Sequence, residues 1–133
     1  MSEQTDTVRG AYESFARQDL PGVLNAFADD ISWDVPTTLP NGGVHRGKDD
    51  VRGFFESLPG AYAELRVEPD EHLDAGDHVI TRGYHRGRGH NGVEFEARFV
   101  HTWTMRDGKA AEFVEVADTA LIAPAVEGAA QST

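Results

Sequence analysis

Cysteine is absent from the 133 residues, which excludes disulfides and thiolate sites and suits a cytoplasmic protein. Basic residues are few: Lys and Arg number 12 against 23 Asp and Glu, a formal net charge of −11. That balance repels phosphate backbones and anionic lipid, and no run of Lys or Arg forms a basic stripe. Neither nucleic acid nor a membrane surface is therefore expected as a partner. No segment approaches the length of a membrane span, and the opening MSEQTDTVRG lacks the apolar stretch of a signal peptide. Repeats, linkers and low-complexity blocks are missing too, so residues 1–133 are expected to form one domain. Its ordered core should run from about residue 5 to about 122, with the small polar tail EGAAQST frayed. None of the six histidines (His45, His72, His78, His85, His90, His101) falls in an H-x-H or HExxH pattern, so no metal site is expected. The glycines of GRGHNG open no helix, which argues against phosphate binding.

The elements are legible from periodicity. Val8, Ala11, Tyr12 and Phe15 recur at helical spacing and predict a helix from about Thr5 to Arg17. Asp19 is placed to cap a second, short helix with Pro21 in its first turn and Leu20, Val23, Leu24 and Phe27 as its apolar stripe, ended by ADD. ISWDV alternates as a strand, and PTTLPNGG reads as loop. A third helix is predicted from Lys48 to about Ser57, with Val51, Phe54, Phe55 and Leu58 inward and Pro59 and Gly60 ending it. The remainder reads as four strands, Ala63–Leu73, His78–Arg88, Val93–Met105 and Ala110–Asp118, joined at DAGD, GHNG and RDGK. Short turns between consecutive strands imply an antiparallel meander, hence an α+β fold with the helices on one face.

One strand carries an anomaly. In FEARFVHTWTM, one side reads Phe95, Ala97, Phe99, His101, Trp103, Met105: an imidazole among five apolar side chains. A three-residue hairpin loop with Gly108 left-handed would pair odd residues with odd residues. His101 would then lie near Phe113 and Glu115, and two largely apolar faces would coincide. A two-residue loop would set His101 beside Val114 and Glu112 instead. Under the odd register an imidazole and a carboxylate meet in an apolar surround. Burial would raise the carboxyl pKa and the carboxylate would raise that of the histidine, leaving either able to exchange protons near neutrality. A buried His bonded to a buried Glu is equally a satisfied structural pair.

The element order, with FARQDLPGVLNAFADDISWDVP early and FEARFVHTWTMRDGKAAEFVEVADTAL late, resembles the SnoaL-like branch of the NTF2-like superfamily over about residues 8–121. The resemblance implies a cone: a curved antiparallel sheet wrapped around an N-terminal helix, with two further helices and an apolar pocket open at one end. It also implies a homodimer through the outer sheet face. The superfamily holds polyketide cyclases, steroid isomerases, epoxide hydrolases, dehydratases and plain binding proteins, so the fold alone does not name an activity. Against the cyclases, His101 matches the His implicated in acid–base chemistry, and Glu115 stands at the Asp position, one methylene longer. Against the ketosteroid isomerases, WDVP puts Val35 where their catalytic Asp belongs, and Tyr12 is one residue out of step with their tyrosine. The Asp-Arg-Asp arrangement of the epoxide hydrolases is missing, since Arg98 is followed by Phe99 and Val100.

The expected site therefore comprises His101 and Glu115 as catalytic groups, with Trp33, Phe99, Trp103, Phe113 and Tyr12 against a small apolar ligand. Phe54 reads as ordinary core. Either Tyr84 or His85 turns inward, because GHNG permits more than one register. The expected activity is cofactor-free acid–base chemistry of cyclase, isomerase or hydratase type on an apolar carbonyl compound. A non-catalytic binding protein, or a dimerising module working through Val100, Val114 and Val116, would use the same fold.

Overall fold

The computed structural model describes residues 2–128. Helix α1 (Glu3–Ala16) starts where Ser2 and Thr5 satisfy each other's backbone N–H groups in a capping box. Helix α2 (Leu20–Asn25) is capped by Asp19, whose carboxylate accepts from the Gly22 N–H, with Pro21 in the first turn. Strand β1 (Phe27–Val35) begins two residues after α2 ends, so Ala28-Asp29-Asp30 belong to the strand and Phe27 opens it. Strand β2 (Gly43–Arg46), not expected from sequence, begins at the last residue of the PTTLPNGG loop; its four residues pair with β1, placing Trp33 opposite His45. Helix α3 (Lys48–Ala61) runs through Pro59 rather than stopping there. Near the helix end Pro59 removes only one backbone bond, and Ala61, 2% exposed, anchors the last turn.

Strands β3 (Glu64–Ala75), β4 (His78–Arg88), β5 (Glu94–Arg106) and β6 (Lys109–Ala117) form the expected antiparallel meander. The full sheet has six strands in the order β2-β1-β6-β5-β4-β3 and is mixed, because β1 runs parallel to β6. This corrects the purely antiparallel expectation. The chain leaves β1 through β2 and α3, crosses to β3, and returns to β1 only with β6. Glycines let the far edge close in: a Cβ at Gly83 would stand 2.2 Å from the Glu68 carbonyl oxygen across the β3–β4 pair. The main core lies between the sheet's inner face and the helices, centred on Val8, Phe27, Ile31, Val51, Phe99 and Phe113. A second cluster gathers Tyr62, Phe95, Ile122, Ala125 and Val126, the last two from helix α4 (Ala123–Val126). Ordered core thus extends past residue 122, while the expected fraying of the tail EGAAQST, residues 127–133, falls from residue 129 onward outside the described residues.

Candidate active site

The β5–β6 hairpin puts the imidazole and the carboxylate together by an unexpected route. Its turn has two residues, Asp107 and Gly108, both with positive φ, between paired Arg106 and Lys109. Alone, that turn would pair odd with even residues. A one-residue bulge at Ala111 then shifts the register, and His101 faces Glu115 while Trp103 faces Phe113. The odd–odd pairing is present, but through a bulge rather than a three-residue loop. The parallel β1–β6 pair adds Trp33 opposite Phe113, and their rings stack at 3.7 Å.

The Glu115 carboxylate is the centre of a polar cluster. His101 Nε2 lies 2.8 Å and His85 Nε2 3.4 Å from the same oxygen, Oε1. All three side chains are nearly closed to solvent, at 4% (His101), 8% (His85) and 9% (Glu115) exposure. On its other side His101 Nδ1 is 2.6 Å from the Tyr12 hydroxyl, which also accepts from the Trp103 indole N–H at 3.0 Å. Both pKa directions oppose the sequence expectation. Burial pushes the Glu115 carboxyl up, but hydrogen bonds from His101 and His85 outweigh it and hold the group well below its usual range. Burial lowers His101 to about 4, more than the neighbouring carboxylate raises it. At neutral pH the pair is a carboxylate and a neutral imidazole. His101 must then donate through Nε2 to Glu115 and accept at Nδ1 from Tyr12.

This cluster opens on a cavity of about 90 Å³, room for several waters. Tyr12, Trp33, Trp103 and Phe113 line it as expected from sequence, together with His101 and Glu115. Phe99 is not in the lining: it is 1% exposed and stacks on His101 at 3.9 Å, holding the ring from behind. Phe54, read as plain core, does line the cavity, as do Phe55 and Val35. Leu39 and Pro40, from the loop before β2, reach it as well. His85 turns inward and Tyr84 outward, since His85 pairs with Ala97 on the same face as Phe99 and His101. The sequence could not settle this because the five-residue connection 89–93 fixes the parity only once it is folded. Two of the six histidines therefore converge after all. Ligand atoms of His85, His101 and Glu115 lie within 4.8 Å of one another, a donor set able to hold a divalent ion. Trp33 Nε1 is buried without a protein hydrogen-bond partner.

The sheet closes over α1 around an apolar cavity on which a few polar groups converge. The family model of the SnoaL-like domain matches residues 8–113, and the chain belongs to that family. An NTF2-like protein of unknown function from Burkholderia pseudomallei is 37% identical, with TM-score 0.89, over 95% of this chain and 98% of that one. A second NTF2-like protein, from Burkholderia thailandensis, is 31% identical over 94% and 98%, with TM-score 0.87. TerC, co-crystallised with polyporic acid, is 28% identical over 96% and 100%, with TM-score 0.89. A search of curated proteins gave no match. No described helix is long and apolar enough to cross a membrane.

Proposed function

We propose that the protein is a cofactor-free acid–base enzyme, of cyclase, isomerase or hydratase type, that removes a proton next to a carbonyl in a flat apolar compound. One observation carries this: the Glu115 carboxyl group, held by two imidazoles at the wall of an otherwise apolar cavity. Glu115 is the base. His101 is fixed between Tyr12 and Glu115, so it aims the carboxylate and shares its proton. Trp33, Trp103 and Phe113 supply the flat aromatic wall against which such a substrate would lie. A carboxylate held down by two donors is fully ionised but weakly basic, so the matching substrate carries an acidic C–H. The co-crystal of the related TerC with polyporic acid supports a small organic ligand for this fold. The test is deuterium wash-in from D2O to 2-tetralone, whose benzylic α-carbon is more acidic than that of a simple ketone. Catalysed exchange supports the enzyme; tight binding with exchange no faster than buffer identifies a carrier instead. Because the proposed chemistry uses no metal, dialysis against EDTA should leave the exchange rate unchanged. A loss restored by Zn²⁺ would show the His85–His101–Glu115 donor set working as a metal centre.

A second surface supports a partner. On the outer sheet face Val114 is 42% and Val116 65% exposed, and Val100 beside them on β5 is half-buried. We propose that this face seats a second copy of the chain. Val116→Asp should convert a dimer to monomer in sedimentation velocity, and a wild-type chain that stays monomeric at every concentration would exclude the idea.

A further inference from the structure

We propose that a hydrogen-bonded relay connects the pocket carboxylate to His72, on β3 and outside the pocket lining, and that protons reach Glu115 through the protein rather than through the pocket mouth. A chain of side-chain contacts links the two ends. Glu115 Oε1 meets His101 Nε2 at 2.8 Å, and His101 Nδ1 meets the Tyr12 hydroxyl at 2.6 Å. Tyr12 is also hydrogen-bonded by Thr81, and the Thr81 hydroxyl meets His72 Nδ1 at 2.8 Å. Thr81 is a polar side chain with 0% exposure at the centre of β4, and no part of the pocket needs it. His72 is half-buried, pairs with Thr81 across β3–β4, and packs its ring against Tyr12 at 5.5 Å. It does not line the cavity, so the relay has its own exit.

Donor and acceptor roles along the chain agree. Glu115, as a carboxylate, can only accept, so His101 donates from Nε2 and accepts at Nδ1. Tyr12 must then donate to His101, so its oxygen accepts from Trp103 and from Thr81. With its proton used on Tyr12, Thr81 accepts from His72 Nδ1–H. Every member points inward. Protonated His72 passes the Nδ1 proton to Thr81; Thr81 passes its own to Tyr12, Tyr12 to His101 Nδ1, and His101 its Nε2 proton to Glu115. One proton leaves His72 and one arrives on Glu115, with no heavy-atom bond changed. The imidazolium becomes neutral and so does the carboxylate. Rotation of the Tyr12 and Thr81 hydroxyls, together with a turn of the His101 ring that brings the protonated nitrogen back to Glu115, resets the chain.

This goes beyond the proposed reaction and is tested without it. In protein with ¹⁵N-labelled histidine, solvent exchange of the His101 Nε2–H proton is read by magnetisation transfer from water. Thr81→Val, nearly isosteric, should slow that exchange about tenfold or more, because the proton must then wait for opening of the buried site. His72→Phe, which keeps a ring on Tyr12, should slow it equally. Leu39→Trp at the cavity should leave it unchanged. Exchange unaltered in both relay variants, or slowed only by Leu39→Trp, overturns the relay. Absent wash-in to 2-tetralone would sink the enzymatic reading alone, since the exchange measurement needs no substrate.

Discussion

Glu115→Gln is expected to remove the deuterium wash-in activity by about a hundredfold or more, the usual worth of a positioned general base. The amide keeps the length and shape of the side chain, and its carbonyl oxygen can still accept from His101, 2.8 Å away in the parent. What it cannot do is take a proton. Folding should survive, for a specific electrostatic reason. Breaking a buried ion pair is costly when it strands the partner's charge, but His101, lowered to about 4 by burial, is already neutral at neutral pH. No charge on His101 is left unpaired. Activity lost with an unfolding midpoint close to wild type and with 2-tetralone still bound is the expected combination. Retained wash-in would move the base elsewhere, and a collapse of stability in parallel with activity would make Glu115 a structural group. Glu115→Asp is the informative companion: it keeps a carboxylate but withdraws it by a methylene, and misplacement of about 1 Å can cost about a hundredfold.

How much of this was readable beforehand depended on the range of the interaction involved. Local periodicity placed α1, α2, α3 and all four long strands, because each buries one face and the pattern sits within the element. Strand β2 and the parallel β1–β6 pair were not readable: both exist only because distant segments meet, and Gly43–Arg46 is too short to carry a pattern. The hairpin is the most instructive element. Matching the apolar faces of β5 and β6 led to His101 opposite Glu115, while the supposed loop length was wrong. The requirement to bury Phe99, Trp103 and Phe113 set the register, and the Ala111 bulge absorbed the mismatch from the turn. A hydrophobic match is thus a firmer guide to register than a turn motif.

The side chains of the site were less legible than the backbone. Phe99 was grouped with the pocket because it shares a face with His101, yet a residue under a ring contributes rigidity instead of lining. Tyr12, Thr81 and His72 come from α1, β4 and β3, and no spacing in the sequence joins them. The pKa directions failed for a related reason. A pairwise rule raises a histidine beside a carboxylate, but His101 also faces His85, Phe99 and Phe113, and removal of water from the ring prevails.

Acid should therefore unfold this protein early. His101 moves from an ordinary 6.5 to about 4 in the fold. Between those values the unfolded chain binds a proton that the folded chain refuses, so stability rises with pH across the window and is lost as pH falls through it. The full shift corresponds to about 3 kcal/mol, a large part of the roughly 5–15 kcal/mol typical of a domain. Glu115 acts in the same sense at lower pH: its folded pKa is depressed, so its contribution is present above the ordinary carboxylate value of 4.5 and disappears below it. His72, lowered by its partial burial and by the nearby Arg9 charge, adds to the slope in the same sense. Urea denaturation across this range should show free energy falling with acid, and His101→Gln should flatten the slope by about one proton. Parallel curves for the two proteins would mean that His101 titrates normally. In that case the imidazole would be charged below its ordinary 6.5, Nδ1 would there donate to Tyr12 instead of accepting, and the hydrogen-bond directions on which the relay depends would hold only above that pH.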